Sequence, residues 1–171
     1  MSYKGTANMQ KIISAHNQKI LGKSEKQEKV EKMCNCRHPP CPLQGKCQTD
    51  NMVYQAKVTS ENEEQSYLGL TATKFKLRYS NHETSFKYSR NRGKTTLAGY
   101  IWDLKDRGVE YQLEWRIIGR AQPFSPISGV CNLCTLEKFH IYFTPEMGTL
   151  NQKDEINNWC PHKSSMLLDK T

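Results

Sequence analysis

The sequence predicts a small α/β domain, in which a hairpin and one later strand are accompanied by helices. Two β-rich runs, 52–58 and 66–71, are separated by a polar, turn-like stretch. From Val109 to Ile117, apolar and polar residues alternate, which is typical of a half-buried strand. The remaining periodicity is helical, and helices are expected over 73–87, 95–107 and 131–143, with a weaker one after Asn151.

Two further segments precede this domain, which is expected to span residues 49–171. Apolar residues at helical spacing and i,i+4 Glu–Lys pairs predict a helical extension over residues 1–33. That helix is either exposed to solvent or docked on a neighbouring domain. In residues 34–48, prolines and Gly45 forbid a helix, and four cysteines explain how an irregular segment stays ordered. We interpret it as a Cys-rich zinc linker.

Composition narrows the class of protein. The chain has 171 residues, of which 36% are hydrophobic and 25% are charged, so it can form one core. No apolar run approaches the roughly 20 residues that span a bilayer, and no signal-peptide pattern is present, so no membrane partner and an intracellular location are expected. The formal net charge of +8 fits a polyanionic partner such as nucleic acid, although other basic soluble proteins share it.

The seven cysteines favour metal binding. Disulfides would leave one cysteine over and would be reduced inside a cell, whereas clustered thiolates bind Zn2+. A histidine near the C-terminus brings the candidate ligands to eight, enough for two tetrahedral zinc sites: Cys34, Cys36, Cys41, Cys47, Cys131, Cys134, Cys160 and His162. Their pairing stays open, His38 is a rival ligand, and the alternative is a set of free core thiols.

An acidic residue stands out in the helix predicted over 131–143. Its broad apolar arc contains Leu133, Leu136, His140, Ile141 and Phe143. Glu137 falls inside this arc, where an ionised carboxylate costs several kcal/mol unless it is paired or bound to a metal. Glu137 is therefore a functional carboxylate, one half of a buried ion pair, or a residue that a shifted helix boundary places outside the arc.

The helix predicted over 73–87 carries a second polar group. Arg78 and His82 form an i,i+4 pair at the edge of its apolar face. A guanidinium supplies fixed donors for phosphate oxygens, and an imidazole moves protons near neutral pH. The alternative is a solvated helix edge. Taken alone, Tyr54 and Tyr67 are typical core aromatics, and Asn151 is typical of a helix cap.

The order of these residues along the chain resembles the GIY-YIG nuclease superfamily. The first motif is present as Met52-Val53-Tyr54 and the second as Tyr67-Leu68-Gly69. Arg78 with His82, then Glu137, then Asn151 follow in the same order. The stretches CNCR, CPLQGKC, TLAGYIWDLK, CNLCTLEK and TLNQ resemble the endonuclease domain of Penelope-like retroelements over roughly residues 34–162. In that family the nuclease follows a reverse transcriptase, and NMQKIISAHNQKIL resembles the junction between them.

The resemblance implies a three-stranded antiparallel sheet flanked by helices, and a metal-dependent endonuclease that nicks DNA with one Mg2+ ion. It further implies DNA as substrate, an adjoining reverse transcriptase as partner and a nuclear location. One alternative is a catalytically inactive, zinc-stabilised module that binds nucleic acid. Another is a purely structural fragment, which would show no salt-dependent DNA binding.

The resemblance also implies the central chemical roles. Glu137 matches the metal-binding carboxylate, and the cation would offset its desolvation. Arg78 matches the arginine that stabilises charge on the phosphate in the transition state. Tyr54 matches the tyrosine that activates the attacking water, which requires help from the metal or from Arg78 because a phenol ordinarily has a pKa near 10.

Three other positions have supporting roles by the same resemblance. His82 shares the proton transfer, Tyr67 orients the water or phosphate, and Asn151 positions the substrate or the carboxylate. The sequence departs from the family pattern at Met52, which replaces a glycine, and at Leu70, where several branches have a lysine. By proximity, the candidates for that missing cation are Lys74 and Lys76.

Overall fold

A computed structural model describes residues 34–36, 40–61, 63–125, 127–151, 160 and 162. These residues belong to a unit that covers Met33–Thr171. The predicted helical extension, the helix after Asn151 and the rival ligand His38 lie outside the described residues. None of the described helices is long and apolar enough to cross a membrane.

Three antiparallel strands form the centre of the domain. They are β1 (Met52–Ser60), β2 (Glu64–Thr71) and β3 (Tyr111–Arg120), in the order β2-β1-β3. The predicted hairpin is confirmed, and so is the later strand. The strand order makes β1 central, which explains why it is buried over most of its length while β3 alternates between half-buried and exposed residues.

Three helices follow the predicted bounds closely: α1 (Phe75–Lys87), α2 (Thr96–Asp106) and α3 (Asn132–Phe143). Short 3-10 helices cover Ser89–Lys94 and Pro145–Met147. The start of α2 is fixed by Thr95, whose hydroxyl accepts a hydrogen bond from the Ala98 amide at 3.0 Å. Shortly after α2, Gly108 adopts a φ of +67°, which confirms the predicted helix stop.

The sheet separates two apolar clusters, because successive side chains of a strand point to opposite faces. One cluster joins β1 to α1 and α2, and its members include Tyr54, Phe75, Leu97, Ile101 and Leu104. The other cluster joins β1 and β2 to α3, and its members include Val53, Leu68, Leu133 and Ile141. The α/β class is therefore confirmed, with the sheet packed between α1 and α2 on one side and α3 on the other.

The buried stripe of α3 is narrower than the sequence predicts. Leu133 and Ile141 are buried, but Phe143 is 73% exposed. Phe143 lies at the rim of the predicted arc and is the last residue of the helix, where the underlying sheet no longer covers it. The prediction that Phe143 belongs to the buried face is therefore wrong.

Candidate active site

A tyrosine, an arginine and a histidine meet on the α1 side of the sheet. The Tyr54 hydroxyl lies 2.8 Å from His82 Nε2 and accepts a hydrogen bond from Arg78 Nε at 3.0 Å. β1 supplies the tyrosine, and α1 supplies the other two residues from positions one turn apart. We call these residues, together with Tyr67, the phenol–guanidinium cluster.

Tyr67 joins this cluster through the guanidinium. The Arg78 side chain is half-buried, and burial alone would lower the pKa of Arg78. The charges and hydrogen bonds of Tyr54 and Tyr67 outweigh that effect and raise the pKa of Arg78 above its ordinary value. Arg78 is therefore a permanent cation held by two phenols, and four of the predicted site residues form one group.

The glycine of the second motif explains how the first tyrosine fits. Tyr54 and Gly69 are paired across β1 and β2, so their side-chain positions share one face. A Cβ atom at Gly69 would lie 2.6 Å from the Tyr54 hydroxyl oxygen and 3.0 Å from Tyr67 Cε1. Any larger residue at position 69 would displace the phenol from Arg78 and His82. The motif pattern identified this glycine, but the reason for it becomes visible only in the fold.

The prediction that His82 lies on a helix edge is wrong, because the sheet covers it. His82 is 2% exposed and is surrounded by the rings of Tyr67, Phe86 and Trp115. Burial, followed by the charge of Arg78, lowers the pKa of His82 to about 3. The imidazole is thus neutral at neutral pH. The Tyr54 oxygen accepts from Arg78, and the tautomer of the neutral imidazole decides whether Tyr54 or His82 donates the hydrogen bond between them.

Tyr54 is in an environment that favours the neutral phenol. Its side chain is 0% exposed, and burial is the main cause that raises its pKa. The Arg78 cation opposes this increase, whereas the charge of Glu137 adds to it. Burial weighs against direct contact between Tyr54 and an attacking water. The raised pKa weighs against the phenolate that would activate this water. Tyr67 is 8% exposed and lies closer to solvent.

Glu137 approaches the cluster from α3. Its side chain is half-buried, and its charge is close enough to contribute to the raised pKa of Tyr54. The buried residues Leu133 and Ile141 fix the orientation of α3 on either side of it. A half-buried carboxylate offers oxygen ligands of the kind that a hard cation binds together with phosphate oxygens and water.

Asn151 holds the second motif in place. Its Oδ1 accepts a hydrogen bond from the Leu68 amide at 2.7 Å, and its Nδ2 donates to the Leu68 carbonyl at 2.9 Å. The preceding Leu150 amide donates to the Ser66 carbonyl at 2.9 Å. Both side-chain amide atoms of Asn151 are therefore engaged with the edge of β2. This arrangement makes Asn151 a positioning residue for the second motif.

Gly148 was missed by the sequence analysis. A Cβ atom there would lie 2.7 Å from Asn151 Oδ1 and 3.0 Å from Leu68 Cδ1. The close approach that Asn151 makes to β2 therefore requires a residue without a side chain at this position. Nothing in the sequence beyond the glycine itself indicates this contact.

The eight predicted zinc ligands fall into two groups of four. Within each group the ligand atoms all lie within 4.8 Å of one another, and the cysteines are free thiols. The first group is Cys34, Cys36, Cys41 and Cys47, and the second is Cys131, Cys134, Cys160 and His162. Tetrahedral Zn–S bonds of about 2.3 Å bring sulfurs to about 3.8 Å apart, so both groups could hold zinc.

The first cysteine group lies at the beginning of α1. Among the described residues no side chain caps this helix. Two backbone carbonyls do so instead: that of Cys47 accepts a hydrogen bond from the Lys76 amide, and that of Thr49 accepts one from the Phe75 amide, both at 2.9 Å. The Lys76 ammonium donates to the Asn35 carbonyl at 2.9 Å. The cysteine segment thus caps the helix that carries Arg78 and His82. Lys76 is directed to this segment, and Lys74 is the exposed residue before α1.

The second cysteine group lies at the beginning of α3. Cys131 is the residue before the helix, and Cys134 is in its first turn. Glu137 follows Cys134 by one turn. Each group therefore lies at the start of a helix that supplies candidate site residues, two from α1 and one from α3.

Comparisons with protein-family models, with curated proteins and with solved structures gave no match to this chain. The resemblance carried by the short motifs therefore stays a prediction. A proposal of function must therefore be based on the phenol–guanidinium cluster and on Glu137, whose charge acts on it.

Proposed function

We propose that this chain is a metal-dependent DNA endonuclease of the GIY-YIG type, derived from a Penelope-like retroelement. The observation that carries the proposal is the meeting of Tyr54, Tyr67, Arg78 and His82 in one cluster, within electrostatic range of Glu137. These residues come from distant parts of the chain, yet they are the ones that the motif order predicts. An adjoining reverse transcriptase and a nuclear location belong to the same proposal and rest on the motifs alone.

Arg78 binds the scissile phosphate in this proposal. The half-buried guanidinium is cationic, as arginine is throughout the working pH range, and its two phenol partners hold it in place. One of its nitrogens is engaged by Tyr54, and the planar group presents further donors to an anionic oxygen. Such a fixed donor stabilises the charge that develops on phosphate in the transition state.

Glu137 is the residue that would hold Mg2+. A Mg2+ ion commonly binds through one or two carboxylates together with substrate phosphate oxygens, and it keeps several waters. When bound, it supplies Lewis-acid polarisation of the phosphate and a more acidic water. The half-buried position of Glu137 on α3 keeps the carboxylate fixed between Leu133 and Ile141.

The two tyrosines have different roles because they differ in exposure. Tyr67 is closer to solvent and contacts the guanidinium, so it orients the attacking water or the phosphate. Tyr54 is wholly buried, acts through Arg78 and is hydrogen-bonded to neutral His82. Tyr54 therefore positions Arg78 in this proposal and does not itself activate the water.

Relaxation of supercoiled plasmid in the presence of Mg2+ tests the proposal. The wild type is expected to nick, and Glu137→Ala and Arg78→Ala are expected to lose at least about 100-fold in rate, as is usual for a lost transition-state contact. Glu146→Ala is the matched control, because Glu146 is an exposed acid on the 3-10 helix that follows α3. Nicking that persists in Glu137→Ala would refute the metal role.

The second candidate is a catalytically inactive, zinc-stabilised module that binds nucleic acid. The observation that favours it is the complete burial of Tyr54 beside a neutral His82, which keeps the phenol that the motifs assign to water activation away from solvent. That candidate predicts wild-type binding to DNA without nicking under any divalent cation. The same plasmid assay, run beside a binding assay, separates the two.

A further inference from the structure

After the first 33 residues, the excess positive charge of this chain lies in one stretch. Residues 65–102 contain seven lysines and arginines and one acid, a net +6, whereas the segments 34–64 and 103–171 each have a net charge of −1. This stretch includes α1 and the 3-10 helix that follows it. The uneven distribution indicates a surface that meets a polyanion.

A well-fixed turn carries the exposed part of this charge. We define the basic turn as residues 87–94, the last residue of α1 and the segment through the 3-10 helix. Asn91 is buried, and its backbone amide donates to the Tyr88 carbonyl at 2.9 Å. Arg92 forms ion pairs with Asp103 and Asp106 of α2. The turn is therefore attached to α2 and is held in one conformation.

Three other cations of the basic turn face solvent. Lys87, Arg90 and Lys94 are exposed, and within the described part of the chain they form no ion pair with a carboxylate. Arg92, by contrast, is already neutralised by its two acidic partners. The charges of the other three are thus available to an external anion.

An aromatic ring organises two of these cations. Tyr88 is 43% exposed, with Lys87 Nζ 5.5 Å and Arg90 Cζ 5.4 Å from its ring centroid. Both distances are within the range of a cation–π contact. A side chain that is already held on a ring loses less conformational entropy when it binds a phosphate.

We propose that Lys87, Arg90 and Lys94 bind the phosphate backbone of a DNA duplex outside the reacting cluster, and that Tyr88 holds the first two in position. The identity of the polyanion as DNA rests on the proposed function. Lys87 is nine residues after Arg78 on α1, which is about 13 Å along the axis and about four base pairs of duplex. Nine residues at 100° each also turn Lys87 to the opposite side of α1 from Arg78, so the basic turn is a separate contact with the duplex, beyond the one at Arg78.

The test is fluorescence anisotropy of a labelled DNA duplex, measured without divalent cation over a series of NaCl concentrations. The triple variant Lys87→Ala, Arg90→Ala, Lys94→Ala is expected to bind at least about 100-fold more weakly at low salt. The slope of log affinity against log salt is expected to decrease in magnitude by about 2 to 3, since each phosphate contact contributes about 0.9.

A matched control removes the same formal charge elsewhere: Lys46→Ala, Lys57→Ala and Arg120→Ala. These positions are outside the basic turn and outside α2, to which the turn is attached, so the slope is expected to stay near that of the wild type. Tyr88→Phe keeps the ring and is expected to bind as the wild type does, whereas Tyr88→Ala is expected to lose several-fold.

The outcomes distinguish this surface from the nuclease proposal. If the wild type binds but the basic-turn triple variant binds as well as the control triple variant, the basic turn is not the DNA-binding surface, and the nuclease proposal is unaffected. If the triple loses binding as expected and the wild type never nicks with Mg2+, the surface stands and the nuclease proposal fails. Absence of wild-type binding overturns the surface, and equal losses in Tyr88→Phe and Tyr88→Ala overturn the role of the ring.

Discussion

At the residue scale, the contact between Tyr54 and Gly69 is the tightest that the site depends on. Gly69→Ala would place a Cβ atom 2.6 Å from the Tyr54 hydroxyl, so β1 and β2 would have to shift apart locally. We expect a loss of about 1 to 3 kcal/mol in the free energy of unfolding, as for other overpacked sites. Denaturant titration measures this loss, and plasmid nicking is expected to fall with it.

Gly93→Ala is the control for this substitution, because a Cβ atom at Gly93 meets nothing within 4 Å. It is expected to leave both the free energy of unfolding and the nicking rate close to wild type. A Gly69→Ala protein as stable and as active as Gly93→Ala would contradict the close packing of the phenol on β2.

The buried histidine makes a second residue-scale prediction. Burial, and then Arg78, lower the pKa of His82 to about 3, whereas an unfolded histidine titrates near 6.5. Below about pH 6.5 the unfolded state therefore binds more protons than the native state. The stability contributed by neutral His82 is complete above about pH 6.5 and is lost as the pH falls towards 3, by up to about 1.4 kcal/mol per pH unit.

Urea unfolding of the wild type and of His82→Gln between about pH 7.5 and pH 5 measures this dependence, since glutamine does not titrate. The free energy of unfolding of the wild type is expected to fall more steeply with decreasing pH than that of the variant. Parallel curves would show that His82 is not buried in its neutral form.

At the element scale, the beginning of α1 depends on the first cysteine group. The carbonyls of Cys47 and Thr49 accept hydrogen bonds from the amides of Lys76 and Phe75, respectively. In the described part of the chain, no side chain caps this end of the helix. Removing zinc with a strong chelator is therefore expected to unfold residues 34–48 and to speed hydrogen exchange at Phe75 and Lys76. Mass spectrometry of amide exchange, with and without chelator, measures the effect.

The beginning of α2 is the internal control for that experiment, because Thr95 caps it without any cysteine. The Ala98 amide is expected to keep its protection after chelation. A zinc content near zero in reduced, purified protein, or unchanged exchange at Phe75, would contradict metal-dependent capping of α1.

The elements were largely predictable, and the reason is periodicity. The alternation from Val109 to Ile117 has a period of two, which identifies a strand directly, and the two runs before α1 were identified by their content of strand-forming residues. The helices were found within two residues of their observed bounds, and Gly108 marked one end. Local pattern is sufficient at this scale because hydrogen bonding in helices and turns is local.

The site was predictable only in part. Motif order identified Tyr54, Tyr67, Arg78 and His82, but a helical wheel placed His82 on an edge because it does not show which neighbour covers the helix. The pairing of the thiols was also open, since Cys160 and His162 return to Cys131 and Cys134 only through the tertiary fold. These features depend on contacts between distant segments.

At the scale of the whole molecule, the sheet packs between the two helices that supply the candidate site residues, and each helix has its own anchor. α1 supplies Arg78 and His82, and α3 supplies Glu137 from the other packing layer. A cysteine group lies at the beginning of each helix. The basic turn lies at the end of α1, and in our proposal it adds a contact with the DNA backbone.

A crystal structure of the chain bound to a DNA duplex and Mn2+ tests the central claim most directly. Anomalous scattering would locate the cation. We expect it on the Glu137 carboxylate, with a phosphate oxygen shared between the cation and the Arg78 guanidinium and with Tyr67 facing that phosphate. A duplex bound elsewhere, with no phosphate or cation between Glu137 and Arg78, would contradict the assignment of this cluster as the reacting site.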